Sequence, residues 1–316
     1  MKLHHDENNQ AFEELIKLTS QAFNIPSNAI RKDYFVTLVL QNLANSRFIE
    51  SVVFKGGTSL SKCYPNSINR FSEDIDLTYI PENNMSNNQI SKQLKKIEKI
   101  LVGQGQYEKI INERNNRNKS SYVWFNDQFK TVESIKLEIG SSVRPHPYSK
   151  KILKSYIHEY LENIDETQGI KTFELLEVQL NVLNIERTFV DKLMSVKRHA
   201  ICGTLPMKVR HIYDVVKLYE MPEIQKFIDN QNEFKKIINL TKKTDSKYLE
   251  KRDIPKEYNP LGSYAFETWS HHLTKDIKSN YENLHNTLLY TDQKQGFDKA
   301  IEIFTNLNQR LVEIGE

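Results

Sequence analysis

The stretch "FKGGTSLSKCYPNSINRFSEDIDL", residues 54–77, places two adjacent glycines, Gly56 and Gly57, ahead of two aspartates, Asp74 and Asp76. Adjacent glycines allow a backbone to approach a ligand closely, as phosphate-binding turns require. Aspartates separated by one residue are typical of sites for hard metal ions. We therefore interpret the glycines and the aspartates as two sides of one site.

The residues around these two features predict two short strands joined through a helix. Residues 51–54, "SVVF", form a β-branched run that stops at the glycines, which predicts a strand entering a tight turn. Residues 58–64 predict a short helix that ends before Pro65. Residues 74–80, "DIDLTYI", predict a second strand that ends at Pro81.

The two aspartates are candidate metal ligands. On a strand, Asp74 and Asp76 point to the same face because successive side chains alternate. Carboxylates this close repel each other unless a cation lies between them. Mg²⁺, or Mn²⁺ in its place, takes such oxygen ligands and is completed by substrate phosphates. The alternative is that both aspartates are merely exposed at a strand edge.

The glycine corner is a candidate phosphate site. A helix that begins at Thr58 or Ser59 would direct free N–H groups and its positive dipole end outward, which suits phosphate. Lys62, about one turn into the helix, could add a positive charge, and Lys55 is the alternative. The spacing matches neither a Walker A loop nor the dinucleotide fingerprint G-x-G-x-x-G, and a plain turn is the alternative.

A third carboxylate follows on another predicted strand. Residues 121–125 and 133–140 are strand candidates, and alternation puts Lys136 and Glu138 on one face of the second of them. Glu138 beside the two aspartates would complete a two-metal site for displacement at phosphorus. The alternative is a salt bridge between Glu138 and Lys136.

The remainder of the chain predicts an α+β half followed by a helical half. Two helices open the chain, and an amphipathic helix begins at Ser86. A possible strand at 173–179 interrupts the later helices, which we predict at 184–199, 207–219, 223–229 and 234–242, with three more between 263 and 311. We predict a catalytic domain over 1–165 and a mainly helical domain over 166–316.

Bulk composition excludes some classes of protein. The 316 residues contain two cysteines, which make no disulfide framework or metal spacing. No stretch approaches eighteen apolar residues, so we expect a cytoplasmic protein without a membrane span. The formal charge of +3 is small, but segments 91–160 and 235–256 are basic, which is compatible with nucleic-acid binding or with solvated helix faces.

The motif strings resemble those of a known family. "FKGGTSLSK" and "RFSEDIDL" resemble the signature of AbiEii/AbiGii-type nucleotidyltransferase toxins, a branch of the polymerase-β-like nucleotidyltransferase superfamily. Two later motifs of that family are similar to "ERTFVDKLMSVKRH", which contains Lys192, and "KVRHIYDVVKL", which contains Arg210 and Asp214. The helix "RKDYFVTLVLQNL" is also similar, so the resemblance spans roughly residues 30–220.

The resemblance implies a fold and a set of site residues. It implies a polymerase-β-like domain with a small mixed sheet, followed by a helical domain that contributes Lys192 and Asp214 to the catalytic cleft. Lys192 would neutralise charge in the transition state, and Asp214 would hold Lys192 or help to activate the acceptor hydroxyl. The implied phosphate-binding residues are Gly56, Gly57, Thr58, Ser59, Lys62 and Lys192, and the implied metal ligands are Asp74, Asp76 and Glu138.

The resemblance also implies an activity and partners. Such enzymes transfer a nucleotide from an NTP with release of pyrophosphate. They act as toxins in toxin–antitoxin or abortive phage-infection systems, and a separately encoded antitoxin neutralises them. The tRNA 3′ acceptor end is the predicted acceptor, since some family members resemble tRNA-modifying enzymes. The alternatives are transfer to a protein side chain and a catalytically idle module that binds nucleotide or a partner.

Overall fold

The structure is a computed structural model that describes residues 1–127, 130–250, 254–287 and 294–316. Tertiary contacts group the chain into two compact units. Unit 1 contains Met1–Cys63 and Phe71–Leu183, and unit 2 contains Tyr64–Arg70 and Asn184–Glu316. The short segment Tyr64–Arg70, which follows the glycine corner and precedes the two aspartates in the sequence, therefore belongs to unit 2.

A mixed sheet forms the centre of unit 1. Its strands in the described part of the chain are β1 (Val52–Lys55), β2 (Ile75–Tyr79), β3 (Gln106–Lys109), β4 (Asn118–Trp124), β5 (Ile135–Gly140), β6 (Tyr148–Leu153) and β7 (Val178–Leu183). They lie in the order β3-β4-β5-β2-β1-β7-β6. The β2–β5 and β1–β7 pairs are parallel, and the other four pairs are antiparallel.

The described residues of unit 1 also form α-helices, namely α1 (Asn9–Phe23), α2 (Ser27–Ala44), α3 (Gly56–Cys63), α4 (Asn87–Val102), α5 (Lys130–Glu133), α6 (Tyr156–Asn163) and α7 (Thr167–Thr172). Helix α4 begins where the sequence predicts, because the hydroxyl of Ser86 accepts a hydrogen bond from the backbone of Gln89 while the Gln89 side chain accepts one from the Ser86 backbone. Its apolar stripe, Ile90, Leu94, Ile97 and Leu101, is buried.

Helix α4 packs on one face of the sheet. Glu98 of α4 accepts a hydrogen bond of 3.0 Å from the hydroxyl of Ser121 in β4, and Ser121 lies opposite Leu137 of β5. The α4 face of β5 therefore carries Leu137 and the other buried apolar residues of that strand. Glu138, one residue along, points to the opposite face.

The strands predicted at 51–54 and 74–80 are confirmed as β1 and β2, with each end shifted by one residue, and those predicted at 121–125 and 133–140 are confirmed as β4 and β5, with ends shifted by at most three residues. β3 and β6 were not predicted, because both are edge strands with few buried side chains and no clear alternation. The strand predicted at 173–179 is instead β7, Val178–Leu183. The predicted α+β class with a mixed sheet and a helical second half is confirmed, although the sheet is larger than expected.

Unit 2 is helical in its described residues. Its α-helices are α8 (Ile185–Ile201), α9 (Arg210–Tyr219), α10 (Pro222–Asp229), α11 (Gln231–Leu249), α12 (Phe266–Trp269), α13 (Lys275–Thr287) and α14 (Phe297–Glu313). Residues 288–293, within the region of the last three predicted helices, lie outside the described residues. Residues 166–183, assigned above to the second domain, lie in unit 1, because β7 pairs with β1.

None of the helices that the structure describes is both long enough and apolar enough to cross a membrane. Cys63 and Cys202 are free thiols, as the absence of a disulfide spacing predicted.

Candidate functional site

Three charged side chains form a row across the sheet of unit 1. Lys55 of β1 lies opposite Asp76 of β2, and Asp76 lies opposite Glu138 of β5. Residues opposite each other on neighbouring strands point to the same face and have Cβ atoms about 5 Å apart. Lys55, Asp76 and Glu138 therefore lie side by side on the sheet face that α4 does not cover.

The glycine corner touches this row. Gly56 has φ +88°, a conformation that side chains other than glycine rarely adopt, and a Cβ placed on it would lie 2.4 Å from Oδ2 of Asp76. Glycine is required here for two reasons, the backbone angle and the carboxylate that occupies the space of a side chain. The predicted glycine corner and the second aspartate are thus adjacent within one unit.

The first turn of α3 is tied to the segment that precedes β2. The hydroxyl of Thr58 donates to the backbone oxygen of Asp74 at 2.5 Å and lies 3.0 Å from the hydroxyl of Ser72. The hydroxyl of Ser59 donates to the backbone oxygen of Gly56 at 2.9 Å. Both hydroxyls are buried, so the groups left for a ligand are the N–H groups of the first turn, which have no acceptor inside the helix. The helix begins at Gly56, slightly earlier than Thr58 or Ser59.

The two candidate lysines have different surroundings. The ammonium of Lys62 lies 2.5 Å from Oδ1 of Asp33, also donates to the backbone oxygen of Lys154, and lies 4.6 Å from the ring centroid of Tyr156. The side chains of Lys62 and Asp33 are each 4% exposed. Within the part of the chain that the structure describes, Lys55 has no carboxylate within 4.0 Å. Lys62 thus fastens α3 to α2, and Lys55 has the more available ammonium.

Glu138 makes the salt bridge that the sequence offered as its alternative role. Its carboxylate lies 2.6 Å from the ammonium of Lys136, which also lies 2.9 Å from Glu113. Although burial alone would lower the pKa of Lys136, its hydrogen bonds to Glu138 and Glu113 raise it, so this lysine is charged. Glu138 therefore lies opposite Asp76, while its negative charge is neutralised by Lys136 of the same strand.

The donor set fits a divalent ion held by few protein ligands. Among the residues that the structure describes, no group of three or more Asp, Glu, His or Cys side chains could hold a metal together. Mg²⁺ commonly binds one or two carboxylates and completes its shell with water and substrate phosphates. The Asp76 carboxylate, which lies against Gly56, offers that chemistry together with Asp74 two residues away. The three-carboxylate site stays a prediction.

A second cluster lies in unit 2, around Asp214 of α9. Nε and Nη2 of Arg70 donate to Oδ1 and Oδ2 of Asp214 at 2.6 and 2.8 Å, and Nζ of Lys192 in α8 lies 2.6 Å from Oδ2. The Asp214 side chain is fully buried. Although burial raises the pKa of Asp214, the positive charges and hydrogen bonds of Arg70 and Lys192 hold it well below its usual value.

The sequence predicted two members of this cluster and missed the third. Lys192 and Asp214 form the ion pair that the motifs implied, whereas Arg70 was not proposed for any role. Arg70 is the first residue of the motif string "RFSEDIDL", and this place in the motif is the signal that could have drawn attention to it. Its partner, Asp214, is 144 positions further along the chain, and no local pattern identifies such a partner. Arg210, in the same motif as Asp214, is the first residue of α9.

Comparisons with known proteins identify the class. A family model, the nucleotidyl transferase AbiEii toxin of type IV toxin–antitoxin systems, matches residues 38–303. The chain therefore belongs to the AbiEii nucleotidyltransferase toxin family, which confirms the resemblance noted in the motifs. It is a nucleotidyltransferase toxin of a type IV toxin–antitoxin system, and this family implies a separate antitoxin as partner.

A solved structure similar to this chain is MenT4, the nucleotidyltransferase toxin Rv2826c from Mycobacterium tuberculosis H37Rv. The match covers 95% of this chain and 99% of that chain at 15% sequence identity, with a TM-score of 0.49. No curated protein matches the chain by sequence.

Replacement of Gly56 by alanine should displace the Asp76 carboxylate. We expect Gly56→Ala to cost about 1–2 kcal/mol of unfolding free energy from the left-handed backbone, and to abolish any activity that needs Asp76, because the new methyl group would occupy the space of Oδ2. Gly203→Ala is the matched control, since Gly203 has φ +67° with no atom within 4 Å of its Cβ position. Denaturant unfolding and toxicity in cells measure the two effects. Equal toxicity of the two variants would contradict the assignment.

Lys62 and Lys55 should differ in their effect on stability. Lys62→Met leaves the buried Asp33 carboxylate with the backbone N–H of Tyr156 but without a cation and should cost about 3 kcal/mol of unfolding free energy, measured by denaturant titration. Lys55→Met removes an ammonium without an ion-pair partner in the described residues and should leave stability within about 0.5 kcal/mol. A stable Lys62→Met protein would show that Asp33 does not depend on this lysine.

Proposed function

We propose that the chain transfers a nucleoside monophosphate from an NTP to an acceptor hydroxyl. The oxygen of the acceptor hydroxyl bonds to the α-phosphorus and gives its proton to solvent, the bond from that phosphorus to the bridging oxygen of the β-phosphate breaks, and pyrophosphate leaves with the electron pair. The observation that carries this proposal is the contact of Gly56 with Asp76 in a row that also contains Lys55 and Glu138. Such a transfer requires hydrogen-bond donors for the phosphates next to carboxylates that can bind a metal ion.

In this proposal the backbone N–H groups from Gly56 to Ser59 hold the phosphates of the NTP. Lys55 is the cation that assists them, because the ammonium of Lys62 is bonded to Asp33. Asp74 and Asp76 would hold Mg²⁺ or Mn²⁺, while Glu138, opposite Asp76 but paired with Lys136, stays the predicted third carboxylate. A divalent ion there would neutralise charge on the phosphates and on the attacking oxygen.

Of the two roles that the motifs leave open for Asp214, the geometry favours the holding of Lys192. Both carboxylate oxygens of Asp214 accept hydrogen bonds from cations, and its pKa is held well below the usual value. Such a carboxylate has little affinity for a proton and is a poor general base. We therefore assign Asp214 to holding Lys192, and Lys192 to neutralising charge on the transferring phosphoryl group.

We propose the 3′ acceptor end of a tRNA as the acceptor. Support comes from Tyr122 of β4, whose side chain is 44% exposed and which lies opposite Lys136, on the sheet face of Asp76 and Glu138. Strand spacing puts it roughly 12 Å from Asp76, a gap that a short single-stranded 3′ end can bridge. An exposed aromatic ring can stack a nucleobase of any identity.

The basic segments of the sequence add little to this choice. The exposed lysines of α4, Lys92, Lys95, Lys96 and Lys99, lie on the sheet face opposite to Asp76. In the second segment Lys235, Lys236 and Lys242 are bonded to Ile314, Glu233 and Glu316, and residues 251–253 lie outside the described residues. The alternative acceptor is therefore a protein side chain. The alternative without catalysis is a module that only binds nucleotide or a partner.

We further propose that the transfer takes place in the cytoplasm, where it inhibits growth during phage infection until the separately encoded antitoxin neutralises it.

The decisive assay offers the purified chain each α-³²P-labelled NTP in turn, together with tRNA and with total protein. We expect label in tRNA, dependent on added Mg²⁺ or Mn²⁺ and lost in Asp76→Asn, because that change removes a carboxylate charge at the phosphate site. Label in protein alone would favour the alternative acceptor. No label in either fraction, with toxicity unchanged in Asp76→Asn, would show that the chain acts by binding.

Tyr122 should affect the acceptor rather than the nucleotide. Tyr122→Ala should raise the KM for tRNA by roughly tenfold, corresponding to one lost stacking contact of about 1–3 kcal/mol, and leave the KM for NTP unchanged. Tyr107→Ala is the matched control, because Tyr107 is 40% exposed but lies in the row of Val123, on the α4 face. Equal effects of the two variants would remove the support that Tyr122 gives to an RNA acceptor.

A further inference from the structure

We infer that Arg70 is a positioning residue for the transfer reaction, which holds Asp214 in place and shares its charge so that Lys192 remains available to a phosphate group. This inference rests on the proposed nucleotidyl transfer and adds a residue to it. Arg70, Lys192 and Asp214 all belong to unit 2, although Arg70 comes from the isolated segment Tyr64–Arg70 and the others from the helical part.

The contact of Arg70 with Asp214 has the geometry of a fork. Nε donates to Oδ1 at 2.6 Å and Nη2 donates to Oδ2 at 2.8 Å, so each carboxylate oxygen accepts from a different nitrogen of the guanidinium group. The side chain of Arg70 is 3% exposed and that of Asp214 is fully buried. A planar pair of this kind fixes orientation as well as distance, which the single ammonium of a lysine cannot do.

Oδ2 of Asp214 is the oxygen shared by both cations. Nζ of Lys192 lies 2.6 Å from Oδ2, the same atom that accepts from Nη2 of Arg70. If Lys192 were the sole cation of Asp214, the carboxylate would neutralise its ammonium and compete with any phosphate for it. Because Arg70 takes part of that negative charge, the ammonium of Lys192 is held in position without being fully neutralised.

The other groups around Asp214 do not replace Arg70. His211 and Tyr213 lie on its own helix, and Tyr281 approaches from α13. Burial lowers the pKa of His211 well below its usual value and raises the pKa of both tyrosines, so all three are neutral near pH 7. The charged groups that act on Asp214 are Arg70 from the segment Tyr64–Arg70 and Lys192 from α8.

Removal of Arg70 should therefore change how the protein responds to pH. In the native protein the pKa of Asp214 is held below its unfolded value, so its contribution to stability is complete above that value and is lost only in strong acid. Without Arg70 the effect of burial, which raises the pKa, is opposed by Lys192 alone. Protonation of Asp214 then begins at a higher pH, and it releases Lys192 from its position.

The test compares Arg70→Met and Arg70→Lys with Arg187→Met. Arg187 is an equally buried arginine of unit 2 that pairs with Asp191 at 2.7 Å, outside the cluster. We expect Arg70→Met to lower kcat for tRNA labelling by roughly 100-fold, with activity that rises with pH between 5 and 8. Arg70→Lys should restore part of it, and added guanidinium should partly rescue Arg70→Ala. Arg187→Met should lose a similar amount of thermal stability but keep kcat within roughly twofold.

An Arg70→Met enzyme with wild-type kcat and an unchanged pH profile at a temperature where it is folded would overturn the inference. An equal loss of kcat in Arg187→Met would do the same, because it would mark a general effect of losing a buried arginine.

A second measurement does not depend on catalysis. The difference in unfolding free energy between the wild type and Arg70→Met should grow as the pH rises from 4 to 8, because the variant must ionise a less well compensated Asp214. Adding Asp214→Asn to Arg70→Met should remove that pH dependence. If the wild type labels no acceptor, the proposed function is wrong, and the unfolding data decide the role of Arg70. In that case, a difference in unfolding free energy between the wild type and Arg70→Met that does not depend on pH would contradict the inference about Arg70.

Discussion

The pairing of β1 with β2 is the contact on which the candidate site depends. Side chains alternate along a strand, so a shift by one residue would turn Asp76 to the face that α4 covers and bring Ile75 or Leu77 to the other face. The burial of Ile75 and Leu77 prevents this shift. The same register sets Asp76 opposite Lys55 and in contact with Gly56. A hydrophobic constraint on one face thus positions the charged groups on the other.

Local parts of this arrangement could be predicted from the sequence, and the long-range pairings could not. Alternation and the two glycines predicted β1, the turn and β2, since each depends on a few adjacent residues. The parallel pairing of β1 with β7 joins Val53 to Asn181, and no local pattern contains that information. β3 and β6 are not predicted by the sequence, because edge strands bury few side chains and so lack a clear alternation of apolar and polar residues.

Charged residues show the same limit more sharply. A sequence displays its cations but not the anions that neutralise them. Lys62 follows the glycine corner at a suitable distance, yet its ammonium is bonded to Asp33 of another helix. Arg70, to which the sequence assigned no role, pairs with Asp214. The salt bridge of Glu138 with Lys136, by contrast, joins two residues of one strand and was open to prediction from alternation. The phosphate and metal roles of the predicted side chains stay predictions, and the availability of their charges depends on partners that only the fold brings together.

The cluster around Asp214 also bears on how much acid–base chemistry the proposed reaction needs. Transition states for transfer at phosphorus are loose in most analyses, with little bond formation to the attacking oxygen, so positioning and charge stabilisation account for most of the rate. A carboxylate with two cationic partners and a strongly lowered pKa is unsuited to removing a proton but well suited to holding a lysine rigidly. In the proposed reaction, a fully buried aspartate and an arginine bonded through two nitrogens would position one ammonium group, as expected where the placement of charge, rather than proton transfer, limits the rate.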